Sequence, residues 1–83
     1  MESLRATKPL RLSGIVLIPI QRVRVERFGG FWGFSIRASA EPHALVIAEE
    51  GLWRAIDLKG NDTPLEPLLR ETSGLAEAIR TSS

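Results

Sequence analysis

From about Arg11 to Lys59 apolar residues recur at every second position, with turn residues between the periodic runs. That is the pattern of short antiparallel strands. The first run, Leu12 to Ile20, is β-branched and nearly all apolar; Pro19 withholds one ladder donor, so it is expected at a strand end, a bulge or a sheet edge. In Arg22-Val23-Arg24-Val25-Glu26 the valines share one face and the charged residues the other, as a half-buried strand requires. Gly29-Gly30 is expected to supply the positive φ angles of a tight hairpin turn. The return strand sets Trp32, Phe34, Ile36 and Ala38 against Gly33, Ser35 and Arg37. After a break at Glu41-Pro42-His43, the runs Ala44 to Ala48 and Leu52 to Leu58 form a second hairpin through Glu49-Glu50-Gly51. Both runs carry more apolar residues than alternation needs, which places them in the sheet centre or under cover on both faces.

Gly60-Asn61-Asp62 closes the β region, and Thr63-Pro64-Leu65-Glu66 reads as a capping box with Thr63 at the N-cap and Pro64 at the first helical position. Pro67, then the fourth helical residue, makes the first turn irregular. Leu65, Leu68 and Leu69 form one apolar stripe, and Leu75, Ala78 and Ile79 repeat the spacing beyond Ser73-Gly74, so two short helices or one kinked helix follow. The fold expected is α+β: about five antiparallel strands curled into a roll or open barrel and packed by a C-terminal helix. Residues 11–80 form the single domain, with 1–10 a flexible N-terminal tail and 81–83 a C-terminal tail.

Composition narrows the chemistry. A chain of 83 residues, 43% hydrophobic and 25% charged, is one small domain with a thin core. It has no cysteine and one histidine, His43, so disulfides, Cys-based zinc or iron–sulfur sites and His-cluster metal sites are excluded, and no cofactor is expected. A partner chain, through self-association or a second protein, is the remaining way to bury more apolar surface. The longest apolar run, Ile15 to Ile20, is far short of the ~18 to 20 residues of a membrane-spanning helix, and the N-terminus lacks signal-peptide features. A cytoplasmic protein is expected.

Charge is distributed unevenly: residues 1–40 carry a net +5 and residues 41–83 a net −4, and nine of the eleven cations are arginine. Arginine's planar fork suits carboxylate and phosphate partners. Alternation gathers Arg22, Arg24 and Arg37 on one face of the first hairpin, with Arg27 nearby and Phe28, Phe31 and Trp32 at its tip. The candidate binding residues are therefore Arg22, Arg24, Arg27, Phe31, Trp32 and Arg37, facing phosphates of nucleic acid, anionic lipid headgroups or an acidic protein surface. The competing reading is a solvated face whose arginines pair with the domain's own acids. Enzyme motifs fail: Gly33-Phe34-Ser35-Ile36-Arg37 lacks the final glycine of a nucleophile elbow and lies in a strand, there is no phosphate-binding glycine loop, Glu49-Glu50 is a solvated turn, and His43 has no nucleophile beside it.

Three stretches resemble bacterial pleckstrin-homology-like domains. Ile18-Pro19-Ile20-Gln21-Arg22-Val23-Arg24-Val25-Glu26 looks like that family's I-P-L segment followed by a strand alternating Val/Ile with Arg/Glu. Gly29 to Arg37 is similar to its glycine- and aromatic-containing hairpin, and Asn61 to Leu69 to its last-strand-to-helix junction. The resemblance implies a roll or partly open barrel that binds a protein or membrane surface and carries no catalytic residues. The function expected is thus a non-catalytic binding or accessory module docking on a protein partner, such as a small subunit of a larger bacterial complex; the alternative is a nucleic-acid-binding protein using its basic, aromatic-tipped hairpin.

Overall fold

The computed structural model describes residues 2–30 and 33–82. Seven strands and two helices follow in the order β1 (Glu2–Ala6), β2 (Leu10–Leu12), β3 (Ile15–Gly30), β4 (Gly33–Glu49), β5 (Leu52–Asp57), β6 (Asp62–Thr63), α1 (Leu65–Glu71), β7 (Thr72–Ser73) and α2 (Leu75–Ser82). The fold is α+β, a sheet curled into a half-barrel with a C-terminal helical region of two short helices. Strand order is β6-β5-β4-β3-β1-β7, with β2 beside β3. Neighbours are antiparallel except β1 and β7. Since β6 and β7 are two residues each, five strands carry the sheet.

Register sorts the apolar residues into two faces. Val16, Ile18, Ile20, Ala44, Val46, Ala48 and Ala55 line the inner face, and Leu68 and Leu75 of the helices complete that core. Leu4, Ala6 and Trp53 pack at its margin. Each helix offers only one apolar stripe, so the helices cover this one face of the sheet. The second hairpin therefore lies mid-sheet, but it is covered on one face and not on both.

Several local expectations are corrected. The N-terminal segment is no loose tail: Glu2–Ala6 pairs with β3 from Glu2↔Arg24 to Ala6↔Ile20 and with β7 on its other edge. Leu12 and Ile15 are not one run but the ends of a hairpin, since Ser13 and Gly14 both adopt positive φ, 43° and 83°. Gly29 and Gly30 are not the turn, because the ladder continues to Gly30↔Gly33. Phe31 and Trp32 lie outside the described residues.

Pro19 is neither at a strand end nor at a bulge; it stands mid-strand, where its carbonyl accepts from the Thr7 amide at 2.9 Å and the Thr7 hydroxyl at 3.2 Å. A residue's N and C=O point to the same side of a strand, so its missing donor falls in the gap between β1 and β2. The capping box is absent: Thr63 pairs with Ala55 in β6, and Pro64 is the N-cap without a side-chain bond. Pro67 is then the third helical residue, where an N–H has no intrahelical acceptor anyway, so α1 starts regularly. Gly74, at φ 80°, separates the helices, and its carbonyl accepts from Ala78 to begin α2.

Candidate docking surface

β3 and β4 outrun their neighbours. β1 ends opposite Arg24 and β5 ends opposite Ala44, yet β3 and β4 continue to Gly30 and Gly33. Residues 25–30 and 33–38 form a two-stranded arm about 20 Å long at ~3.4 Å per residue. The molecule measures 56 × 24 × 21 Å, and its radius of gyration of 15.4 Å exceeds the ~12 Å of a compact chain of this length. Cross-strand pairs build the arm: β-branched Val25 and Ile36 suit the pleat, and Glu26 stands directly opposite Arg37.

A register shift after Ile20 makes His43 an extra residue in β4, a bulge where the sequence pattern indicates a break. Pro42 is tolerated beside it because β5 has already ended on that side. Past the bulge, the inner face carries Arg22, Arg24, Glu26 and Phe28 from β3, and Glu41, Ser39, Arg37 and Ser35 from β4.

Three of the six candidate residues therefore share a face, as alternation indicates, but each stands next to an acid. Arg24 donates from Nη2 and Nε to Glu2 Oε1 at 2.6 and 3.0 Å. That bond, reinforced by the guanidinium charge, holds the Glu2 carboxyl below its ordinary range and raises Arg24. Arg22 lies 3.8 Å from Glu41 and donates to His43 Nδ1 at 3.2 Å. Because guanidinium only donates, Nδ1 is the acceptor, which places the proton of a neutral ring on Nε2. Arg37 sits over the Phe28 ring at 5.8 Å from its centroid. Arg22, Arg24 and Arg37 are thus balanced in number by Glu2, Glu26 and Glu41 on one surface. Arg27 projects from the opposite face, paired in register with Ile36.

A cleft of about 350 Å³ opens at the root of the arm between Glu2, Ser3, Leu4, Arg22, His43 and Glu71. Among the described residues no group of three or more His, Asp or Glu side chains could hold a metal ion. Asp57 is occupied structurally, accepting from the Lys59 and Asn61 amides. No described helix is long and apolar enough to cross a membrane.

The outer face is the feature that sequence reasoning missed. Across the body it presents the rows Leu12–Ile15–Glu49–Leu52, Leu10–Leu17–Ile47–Arg54 and Pro19–Leu45–Ile56–Asp62. It continues past the bulge as Val23–Ala40 and along the arm as Val25–Ala38 and Arg27–Ile36. Leu52 is 74% exposed, Ile36 62%, Leu12 57% and Leu10 51%. No residue of these rows belongs to the core or to the partly buried hydrophobics packed against it. The sequence does carry a signal: Ile15 to Ile20 and Ala44 to Ala48 are apolar at both parities, while the helical segment brings one stripe to cover one face.

No family profile, curated protein or solved structure matches this chain.

Proposed function

We propose that this chain is a non-catalytic docking module that binds a protein partner through the outer face of its sheet and arm, within a larger cytoplasmic assembly. The observation that carries this reading is the uncovered apolar strip from Leu10 and Leu12 to Ile36. Monomeric proteins seldom leave so long an apolar surface to water. An isolated two-stranded ribbon is also marginal in stability, so the arm gains most from a surface laid along it. The partner that fits is a protein face of apolar side chains with few charges. The resemblance to pleckstrin-homology-like domains points to the same kind of role.

Nucleic-acid binding draws less support. Phosphate contact needs uncompensated cations, and Arg22, Arg24 and Arg37 stand beside Glu2, Glu26 and Glu41. A photoactivatable side chain at Ile36, compared with one at the exposed Arg70 on α1, tests both readings in the cells that make the protein. Protein adducts from position 36 and none from position 70 are expected. Adducts from position 70 alone would refute the docking face. Nucleic-acid adducts at position 36 that fade steeply between about 50 and about 200 mM salt would favour the alternative.

A further inference from the structure

The sheet has edges of two kinds. In the body the edge strands β6 and β7 are two residues each, and edges that short give another chain little to pair with. β4 differs: β5 leaves it at Ala44, and from Pro42 to Gly33 no described strand lies on that side. The ladder fixes which backbone groups face outward there. Pro19 turns its carbonyl toward Thr7, away from β4, and alternation has Gln21, Val23, Val25 and Arg27 do the same. Their register partners Ala40, Ala38 and Ile36 therefore point N–H and C=O away from β3, into the line that β5 vacates, and Pro42 points its C=O there. Every residue from Ser35 to Pro42 is exposed.

The usual guards of an edge, a proline and a bulge, stand only at its root, at Pro42 and His43. Between Gly33 and Ala40 the single charged residue is Arg37, on the inner face. On the arm's opposite edge Val25 and Arg27 each already make an interaction within the chain. In the body, β5 sets Leu52, Arg54 and Ile56 beside Glu49, Ile47 and Leu45 on the outer face. In the arm the corresponding column beside Ile36, Ala38 and Ala40 holds no described strand, and the two alanines leave room for large neighbours.

From these observations we infer that an extended segment of a partner protein adds to the sheet as a further strand along β4, in the line and direction of β5. Its backbone bonds to Ile36, Ala38 and Ala40, and its positions opposite the two alanines carry large apolar side chains on the outer face. Main-chain bonds supply affinity and the alternate side chains supply selectivity, as in strand addition generally. The inference rests on the docking reading above and specifies how the partner is held.

A photoactivatable side chain at Ile36, in the cells that make the protein, reads the contact when combined with changes at the edge. Ala38→Pro or Ala40→Pro removes one outward N–H and no bond to β3, and should reduce protein adducts about tenfold. Ala38→Ser and Ala40→Ser keep the N–H and should retain the adducts within about twofold. Contact through outer-face side chains alone would reverse that order, since a hydroxyl suits an apolar contact less than the proline ring does. Circular dichroism checks that each variant remains folded. In the free protein, hydrogen exchange followed by NMR should be faster at the Ala38 and Ala40 amides than at those of Arg37 and Ser39, which bond to β3. Equal protection would show the edge already covered and overturn the inference, as would adducts only to a second copy of this chain. Adducts to another protein that survive both proline changes would overturn strand addition and leave the docking module standing. A lack of any protein adduct from position 36 without edge changes would overturn both.

Discussion

The body and the arm are made of the same two strands, yet they are held by different physics. In the body, β3 and β4 have neighbours on both edges and helices beneath them, so Ile18 and Val46 are fully buried and stabilise the fold by leaving water. In the arm the same strands have only each other. Ile36 and Phe28, as apolar as anything in the core, stay half or more exposed. What separates the two regions is not residue type but the presence of a third layer. An apolar residue in a strand contributes to stability only where something covers it, so the exposed Ile36 adds little to the fold.

The largest effect should come from breaking the body. Ile18→Ala leaves a cavity at a site with no exposure, with a loss of about 2 to 5 kcal/mol. In a domain this small that is a large part of the total stability, and denaturant unfolding should show the whole molecule failing together. Reinforcing the body should act the opposite way. The Thr72 hydroxyl is buried with no hydrogen-bond partner, and Thr72→Val should raise stability by about 1 kcal/mol in the same measurement without altering cross-linking from the arm.

Removing the arm should hardly touch the body. Joining Arg24 to Ser39, register partners in β3 and β4, through an Asn-Gly turn should leave unfolding of dilute protein within about 0.5 kcal/mol. Cross-linking to a protein partner from a photoactivatable side chain at the exposed Leu52, on the outer face of the body, should weaken. A large loss of stability would show that arm and body are one cooperative unit and that the distinction drawn above is mistaken.

The smallest effect concerns the root of the arm, where Glu2 binds Arg24. The folded-state pKa of Glu2 is lowered, first by the hydrogen bond from Arg24 and then by its charge. The contribution of the pair is therefore present above the ordinary carboxylate range and is lost as pH falls through the lowered value. In Arg24→Ala the Glu2 midpoint, followed by NMR of its carboxyl carbon, should rise toward the ordinary range while keeping a small depression from Arg22. An unchanged midpoint would show that the pair does not persist in solution.

Much of the fold was legible in the alternation. The paired valines and arginines of residues 22–26, the Glu50-Gly51 turn and the two leucine stripes all lie in the elements their spacing indicates. Those patterns arise from interactions between near neighbours in the chain. Glu2 to Ala6 looked like a tail because its partners lie about twenty residues on in β3 and about seventy on in β7, and no local pattern announces such pairing. Thr63 and Glu66 satisfied the spacing of a capping box, yet a ladder with Ala55 claimed Thr63 first. Of the candidate site, the sharing of a face by Arg22, Arg24 and Arg37 was readable from period two, whereas their pairing with Glu2 and Glu41 needed the register.

The order of residues alone determined the class of the fold, the alternating character of its strands, the stop and restart of the helical region, and the lack of cysteine chemistry, since each follows from local backbone preference or from composition. Only the tertiary structure decided which of two apolar sheet faces the helices cover. It also decided that β1 and β5 stop short of β4's far end, and that three arginines of a basic hairpin stand opposite acids. Those outcomes depend on strand register and edge position, set by contacts between residues far apart in the chain.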